Sequence, residues 1–236
     1  MVLCHKKRSL YACICVRDIL ILMSTYERQD LTGLALTSLS RHKSGLSDVL
    51  ILDDASLSYN QAWLERWGYP VERREKNVGV GPAAFARYSR FLLSGYHYLC
   101  ALDNDVLVCP KFDLLLLDLW HRVTSSQLTV VTGYRSVTQK VVSEGDDYDE
   151  VDGVGGACHF VDRSTATSIL EKLQTPWPHN WDHCISRVYE KKFAPKKSFI
   201  EHLGIFGSGV NGWSADVSVN GPSNITLPLR TKTCAN

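Results

Sequence analysis

The sequence predicts an α/β fold: a single domain with a mixed, mostly parallel central sheet flanked by helices. Strand-sized apolar runs alternate with stretches whose apolar residues recur at helical spacing, as in strands joined by helices. Polar residues follow several apolar runs directly, which places them at the carboxyl ends of the predicted strands. Ligands of parallel α/β sheets bind at the edge that these strand ends form. With 236 residues, 44% hydrophobic and 22% charged, the chain is long and apolar enough for one full core.

The first half follows the order strand, helix, strand, helix, strand, helix, strand. The apolar run at 19–23 ends in small and polar residues, which predicts a buried strand that enters a loop. Residues 31–42 are predicted to be helical because their leucines fall on one face. Pro82 suits the first turn of a helix, and Gly95 suits its end. The other predicted elements are a strand at 48–57, a helix at 59–67, a short strand at 69–77, a helix at 82–95 and a strand at 97–105.

The second half is less regular, and its elements are predicted from shorter patterns. Apolar residues at helical spacing alternate here with brief apolar runs and with an acidic stretch. The predicted elements are a helix at 112–123, a strand at 128–137, an acidic loop or hairpin at 140–152, a strand at 155–164, a helix at 165–173, a loop leading into a helix at 177–192, and a strand with a glycine-rich loop at 198–209.

Composition argues against several classes of partner. The formal net charge is +1, so no bulk field attracts nucleic acid or an anionic membrane. The eight cysteines are scattered without zinc-site spacing, which favours a reducing compartment. Basic residues at 5–8 and apolar residues at 9–16 imitate a signal peptide, but Arg17 and Asp18 interrupt the apolar run. We therefore expect a soluble, cytoplasmic protein without a transmembrane segment, with an extension of undefined role at 1–17.

The stretch LCALDNDVLVCP at 99–110 places Asp103, Asn104 and Asp105 at the end of an apolar strand. Alternate side chains of an extended chain point the same way, so the two carboxylates can share a hard divalent cation that removes their repulsion. Mg²⁺ or Mn²⁺ bound in this way keeps open positions, which substrate phosphates commonly fill. Taken alone, the pair is equally consistent with a solvated turn.

Four segments set this pair in a longer series. They are STYERQDL at 24–31, LILDDAS at 50–56, KNVGVGPAAFARYSRFL at 76–92 and ALDND at 101–105. The series resembles the nucleotide-sugar-dependent glycosyltransferases of the GT-A fold, especially the inverting enzymes of family 2. Glu27 stands where that family has Asn, and Tyr88 stands where it has the Asn of Ala-Arg-Asn. The resemblance is good over 18–110 and looser over 150–210.

The resemblance implies a nucleotide site on the first three segments. Thr25 and Tyr26 would lie in the loop that cradles the base and ribose. One of the carboxylates of Asp53 and Asp54 would accept a hydrogen bond from a base N–H, and the sequence does not distinguish which. Asn77 opens the Asn-x-Gly that precedes the next helix and joins the same donor-binding set. Asp54 is equally interpretable as the cap of the following helix.

The resemblance also implies a diphosphate and metal site. Arg87 would approach the diphosphate, although an arginine on this helix could also be an ordinary surface residue. Asp103 would face the ribose or a metal-bound water, and Asp105 would bind Mn²⁺ or Mg²⁺ directly. His202 follows a short strand and precedes Gly204, at a place where some GT-A enzymes complete the metal or diphosphate site. A structural histidine is the alternative.

On the acceptor side, Gly155-Gly156-Ala157 resembles the segment that lines the acceptor in this fold. Asp182 stands where inverting members keep the acidic residue that deprotonates the acceptor hydroxyl, although Trp181 precedes it instead of the frequent Glu. His183 and Asp152 are competing candidates for the base. Asp182 could instead cap its helix.

Together these residues predict a metal-dependent glycosyltransferase that moves a sugar, a hexose or deoxyhexose, from a UDP- or GDP-sugar to a glycan or glycoprotein. Residues 18–110 would form the nucleotide-sugar half, 111–210 the acceptor half of the same domain, and 211–236 a C-terminal tail. Two alternatives are a nucleotidyltransferase, whose glycine-rich basic signature is missing at 24–30, and a non-catalytic sugar-binding module on a transferase fold. The chain could also be one domain of a larger multi-enzyme glycosyltransferase.

Overall fold

The computed structural model describes residues 18–123, 127–173 and 175–206. The predicted extension at 1–17 and the predicted tail at 211–236 lie outside these residues. The strands are β1 (Ile19–Thr25), β2 (Ser47–Asp53), β3 (Val71–Arg73), β4 (Tyr98–Asp103), β5 (Val106–Val108), β6 (Thr129–Val131), β7 (Val141–Glu144), β8 (Tyr148–Val151), β9 (Cys158–Asp162), β10 (Lys191–Pro195) and β11 (Ile200–His202). The helices are α1 (Gln29–His42), α2 (Gln61–Leu64), α3 (Val80–Leu92), α4 (Phe112–Val123), α5 (Arg163–Lys172) and α6 (Trp181–Val188).

One large mixed sheet forms the centre, in the order β3-β2-β1-β4-β9-β6-β10-β8-β7. Its first four strands run parallel, as the alternation of strands and helices predicts. β9 then enters antiparallel beside β4, and the other half combines antiparallel pairings with the parallel pairing of β6 and β10. A second, two-stranded sheet pairs β5 with β11 and brings His202 opposite Val106. The predicted α/β single domain is confirmed.

Hydrophobic residues cover both faces of the large sheet because successive side chains of a strand point to opposite sides. Ile19, Ile21 and Met23 pack on one face against α1 and α4. Leu20 and Leu22 pack on the other face with α3, α5 and α6. A strand buried on both faces must be continuously apolar, and this explains the unbroken run that starts β1.

Several boundaries differ from the predictions. The strand predicted at 97–105 ends at Asp103, because Asn104 and Asp105 form the turn between β4 and β5. The strand predicted at 128–137 is confined to β6, and the helix predicted at 59–67 divides into α2 and a 3₁₀ turn at Glu65–Trp67. β10 was not predicted as a strand. The acidic stretch at 140–152 forms the β7–β8 hairpin, which was one of the two forms predicted for it.

Within the described ranges, no helix is long and apolar enough to cross a membrane. The cysteines described there, Cys100, Cys109, Cys158 and Cys184, are free thiols.

Tyr88 lies on the buried face of α3, which gives a structural reason for this departure from the family pattern. Its hydroxyl lies 2.8 Å from Nδ1 of His159 and 3.0 Å from the hydroxyl of Tyr189. Nε2 of His159 lies 2.9 Å from the carbonyl oxygen of Gly155, to which only an N–H can donate. His159 is therefore neutral, with its proton on Nε2, and Nδ1 accepts from Tyr88. This network lies directly beneath the Gly155-Gly156 segment.

Acidification is expected to destabilise the protein through His159. Burial, with the Arg87 charge nearby, lowers the pKa of the imidazole from 6.5 to about 3. Between these values the unfolded chain binds a proton that the folded chain does not. The contribution of neutral His159 to the free energy of unfolding is therefore complete above pH 6.5 and falls as the pH drops toward 3. At about 1.4 kcal/mol per pH unit, the free energy of unfolding is predicted to fall by about 2 kcal/mol between pH 7 and pH 5.

Urea denaturation at the two pH values measures this loss. His159→Gln removes the titrating group, so the difference between pH 7 and pH 5 should shrink by about the same 2 kcal/mol. His121→Gln is the matched control, because His121 is an exposed histidine and its replacement should leave the pH dependence unchanged. An equal pH dependence in wild type and His159→Gln would contradict the prediction.

Candidate active site

The carboxyl ends of β1, β2 and β4 lie side by side, and polar residues occupy each end. Thr25 pairs with Asp53 across β1 and β2, and Ser24 pairs with Asp103 across β1 and β4. This register places the predicted nucleotide and metal residues along one edge of the parallel half of the sheet. Ligands of open α/β sheets bind at this edge, so the sequence prediction of the site's position agrees with the fold.

Asp53 is buried and tied into the protein. Its carboxylate accepts hydrogen bonds from the hydroxyls of Thr25 (3.0 Å) and Ser56 (2.6 Å) and from the guanidinium of Arg73 (2.5 Å). These contacts fix the loop that follows β2 and hold it against the end of β1. Tyr26, the next residue after Thr25, remains 39% exposed at this edge. A stacking surface for a base is therefore available beside Asp53.

Asp54 holds the loop that leads into α3. It accepts hydrogen bonds from the Asn77 side chain (3.0 Å) and from the backbone amides of Val78 (3.2 Å) and Gly79 (3.1 Å). Burial raises the pKa of this carboxyl, and the Val78 and Gly79 amides counteract part of the rise. Asp54 does not cap the next helix, α2, because Asn60 performs that role through Trp63. Asp54 and Asn77 thus act together, as their shared place in the motif series predicts.

Asp103 is held by Arg87, which is only 1% exposed. Nη1 of Arg87 donates to the carbonyl oxygen of Leu102 and to the carboxylate of Asp103, both at 2.9 Å. Its guanidinium also lies 5.0 Å from the centre of the Trp181 ring. The alternative that Arg87 is an ordinary surface residue is wrong. Arg87 anchors Asp103 and joins it to the start of α6.

Asp105 lies between the side chains of Arg28 and His202. Nη1 of Arg28 donates to Oδ2, and Nε2 of His202 lies 3.2 Å from Oδ1. Burial by itself would raise the pKa of Asp105, but His202 and Arg28 outweigh burial and lower it. Leu203 donates its backbone amide to the carbonyl oxygen of Asp105 at 2.6 Å, which fixes the β11 end against the β4–β5 turn. The predicted association of Asp105 with His202 is present in the structure.

Asp103, Asp105 and His202 are the predicted ligands of a divalent cation. Carboxylate and imidazole ligands suit Mn²⁺ as a class, and the buried Oδ1 of Asp105 faces Nε2 of His202 at 3.2 Å. A Cβ at Gly204 would stand 2.7 Å from Oδ2 of Asp105 and 2.8 Å from Nε2 of His202, so glycine keeps this space open. Among the described residues, no three Cys, His, Asp or Glu side chains converge enough to hold a metal unaided. Phosphate oxygens and water would have to complete the coordination.

The segment predicted to line the acceptor adjoins Asp103. A Cβ at Gly156 would lie 2.9 Å from the Trp181 ring and 3.4 Å from Oδ2 of Asp103, so the glycine allows all three groups to meet. Asp182 follows Trp181 in the first turn of α6, and its carboxylate accepts from the His183 amide at 2.9 Å. Asn180, not Asp182, occupies the N-cap position. Asp182 therefore does not hold the N-cap position itself, but its carboxylate stabilises the first turn of the helix as the alternative requires. Its role as a base stays a prediction.

No family model matches the chain, and no curated protein matches it either. Solved structures do match. GalNAc-T7 with UDP, GalNAc and Mn²⁺ has a TM-score of 0.63 at 10% identity, over 85% of this chain and 45% of that one. S. aureus TarS has a TM-score of 0.53 at 12% identity, over 78% of this chain and 36% of that one. These proteins are GT-A glycosyltransferases.

The chain has the GT-A fold. The mannosyltransferase PcManGT from Pyrobaculum calidifontis, solved with GDP-Man and Mn²⁺, agrees with this conclusion at a TM-score of 0.52 and 12% identity, over 74% of this chain and 53% of that one. The GT-A domain described here spans between about a third and about a half of the length of these three proteins. The resemblance in the sequence motifs therefore coincides with a resemblance in three dimensions.

Two residues of this GT-A site were given no role by the sequence. Arg28 belongs to the first motif, but its contact with Asp105 spans 77 residues of chain. Trp181 was noted only as a departure from the frequent Glu, whereas its ring covers Arg87 and meets Gly156. The positions of Arg28 and Trp181 within the motifs could have indicated that both residues belong to the site. Which side chains they contact depends on the order of the strands in the sheet, and the motifs do not specify that order.

Proposed function

We propose that this chain transfers a sugar from a nucleoside diphosphate sugar to a hydroxyl group of a glycan or glycoprotein, with a divalent cation and with inversion at the anomeric carbon. The observation that carries the proposal is the Asp105 carboxylate, held between His202 and Arg28 beside Asp103 at the carboxyl edge of the sheet. The structural neighbours support it, since GalNAc-T7 was solved with UDP and Mn²⁺ and PcManGT with GDP-Man and Mn²⁺.

The nucleotide would bind across the ends of β1 and β2. Tyr26 offers an exposed ring for the base, and Thr25, which precedes it, pairs with Asp53 across β1 and β2. Asp53 already accepts four hydrogen bonds, from Thr25, from Arg73 and from the hydroxyl and amide of Ser56, which is about the full capacity of a carboxylate. Asp54 accepts from Asn77 and from the amides of Val78 and Gly79, so it is the carboxylate proposed to accept from a base N–H.

The leaving diphosphate needs positive charge as its bond to the sugar breaks. A cation bound by Asp105, His202 and Asp103 would supply it as a Lewis acid at the phosphate oxygens. Arg87 keeps Asp103 in place for this task through its 2.9 Å hydrogen bond. The buried position of these groups strengthens their interactions, because the local dielectric is lower than that of water.

The acceptor hydroxyl needs a base on the opposite side of the sugar. Asp182 is the base in this proposal, because it lies one residue after the Trp181 ring that meets Gly156 beside Asp103. A general base contributes about 10²–10⁴-fold to the rate. In-line attack by the deprotonated hydroxyl would then invert the anomeric centre. His183 and Asp152 remain competing bases, which single substitutions would compare with Asp182→Asn.

The test is a calorimetric titration of UDP-, GDP-, dTDP- and CMP-sugars, each with and without Mn²⁺. We expect one nucleotide to bind in a Mn²⁺-dependent manner, and we expect slow release of its nucleoside diphosphate. Release of pyrophosphate would indicate a nucleotidyltransferase instead. Binding without any turnover on a panel of glycan acceptors would favour the non-catalytic module, and no binding of any donor would contradict the proposal.

A further inference from the structure

The guanidinium of Arg28 contacts the carboxylate of Asp105, which is the proposed ligand of the cation. Its Nη1 donates to Oδ2 of Asp105, and the two side chains are 14% and 6% exposed. Such a contact in a partly desolvated place opposes a second positive charge on the same carboxylate. A cation that approaches Asp105 therefore meets a competitor that belongs to the protein.

The backbone at Arg28 is held in a costly conformation that directs the side chain to Asp105. Glu27 and Arg28 have φ values of 52° and 55°, in the left-handed region, which is an unfavourable conformation for residues other than glycine. The Glu27 carboxylate accepts hydrogen bonds from the amides of Leu57 (2.6 Å) and Ser58 (3.0 Å). The Glu27 carbonyl oxygen accepts from the Tyr59 hydroxyl at 3.1 Å. Glu27, the departure from the family's Asn, thus fastens the turn that carries Arg28.

The two oxygens of Asp105 have different neighbours. Oδ2 receives Arg28, while the buried Oδ1 faces Nε2 of His202 at 3.2 Å. This separation is close to the N···O distance of a hydrogen bond and to the about 3.0 Å between two adjacent ligands of an octahedral ion. Oδ1 and His202 are therefore near enough to each other to share the proposed cation. The Oδ2 side carries a charge that weakens its binding.

We propose that Arg28 couples binding of the cation to binding of the nucleotide. Without nucleotide, Arg28 neutralises Asp105 and keeps the affinity for the cation low. When cation and nucleoside diphosphate arrive together, the guanidinium exchanges Asp105 for phosphate oxygens, which it can bind in a bidentate manner. The two ligands then strengthen each other, and linkage requires the effect to be equal in both directions. This inference rests on the proposed function.

Calorimetric titration of Mn²⁺, with and without saturating UDP or GDP, tests this coupling in wild type, Arg28→Met, Arg28→Gln and Arg28→Lys. We expect both neutral variants to bind Mn²⁺ alone about 10-fold more tightly than wild type, within the usual range of coupling between sites. The factor by which nucleotide tightens Mn²⁺ binding should fall about 10-fold in the same variants. Arg28→Lys keeps the positive charge, and it should retain most of the coupling.

The variant Asp105→Asn distinguishes failure of the proposed coupling from failure of the proposed function. If wild type binds Mn²⁺ and nucleotide in a manner that needs Asp105, but the neutral Arg28 variants behave like wild type, the coupling is refuted and the proposed function stands. If Mn²⁺ does not bind, or binds regardless of Asp105, both are refuted. Weaker binding of Mn²⁺ alone in Arg28→Met and Arg28→Gln would also overturn the coupling, because Arg28 would then be supporting the cation site.

Discussion

Replacing Asp105 by asparagine is expected to abolish Mn²⁺-dependent donor binding and to slow release of the nucleoside diphosphate by about 10²–10³-fold. Losing one group that stabilises developing charge in an active site typically has an effect of this size. Asparagine keeps the shape of the side chain but removes the negative charge that Arg28 contacts and that the proposed cation would need. The measurement is calorimetry with the donor identified in the sugar-nucleotide panel, followed by an assay of nucleotide release.

The control must separate chemistry from folding. Asp118 on α4 has a side chain that is 60% exposed and pairs with Arg122 one helical turn away, so Asp118→Asn should leave donor binding unchanged. Urea denaturation of Asp105→Asn gives the stability change on its own, because Arg28 loses its carboxylate in this variant. If Asp105→Asn is folded and still binds the donor with undiminished Mn²⁺ dependence, the Asp-Asn-Asp segment is only a turn.

Replacing Arg87 by methionine is expected to destabilise the protein by about 1–3 kcal/mol, the usual cost of leaving a buried polar group without its partner, because the Asp103 side chain is 34% exposed and can turn to water. Three contacts disappear together: the hydrogen bond to the Leu102 carbonyl oxygen, the hydrogen bond to Asp103 and the contact with the Trp181 ring. The Leu102 carbonyl oxygen loses its Arg87 donor, and Asp103 loses its counter-charge at the site. Donor binding should weaken in any fraction that remains folded.

Arg90→Met is the matched control, because Arg90 lies on the same helix with a side chain that is 39% exposed. Its pair with Glu72 is a surface ion pair, and such pairs contribute about 0–1 kcal/mol. Urea denaturation of both variants at pH 7 measures the difference. Similar losses in Arg87→Met and Arg90→Met would show that Arg87 does not hold the site together.

The sequence determined the parts of this protein that depend on local pattern. The apolar runs of β1, β2 and β4 and the polar residues that follow them predicted a parallel half-sheet with a binding edge, because a strand buried on both faces must be apolar and its exit must be polar. The order of the four motifs predicted the fold that the structural neighbours confirm. The pairing of Asp105 with His202 followed from the same resemblance.

Tertiary structure alone decided which side chains meet across the sheet. Arg28 reaches Asp105 over 77 residues because β1 and β4 are neighbours in the sheet. Tyr88 reaches His159 over 71 residues because α3 packs against the face of the sheet to which β9 contributes. The antiparallel entry of β9 beside β4 brings the Gly155-Gly156 segment to Asp103. A sequence pattern shows the hydrophobic period of each helix or strand and the residues at which it ends. Long-range contacts depend instead on the order in which these elements pack, and burial of the whole core determines that order.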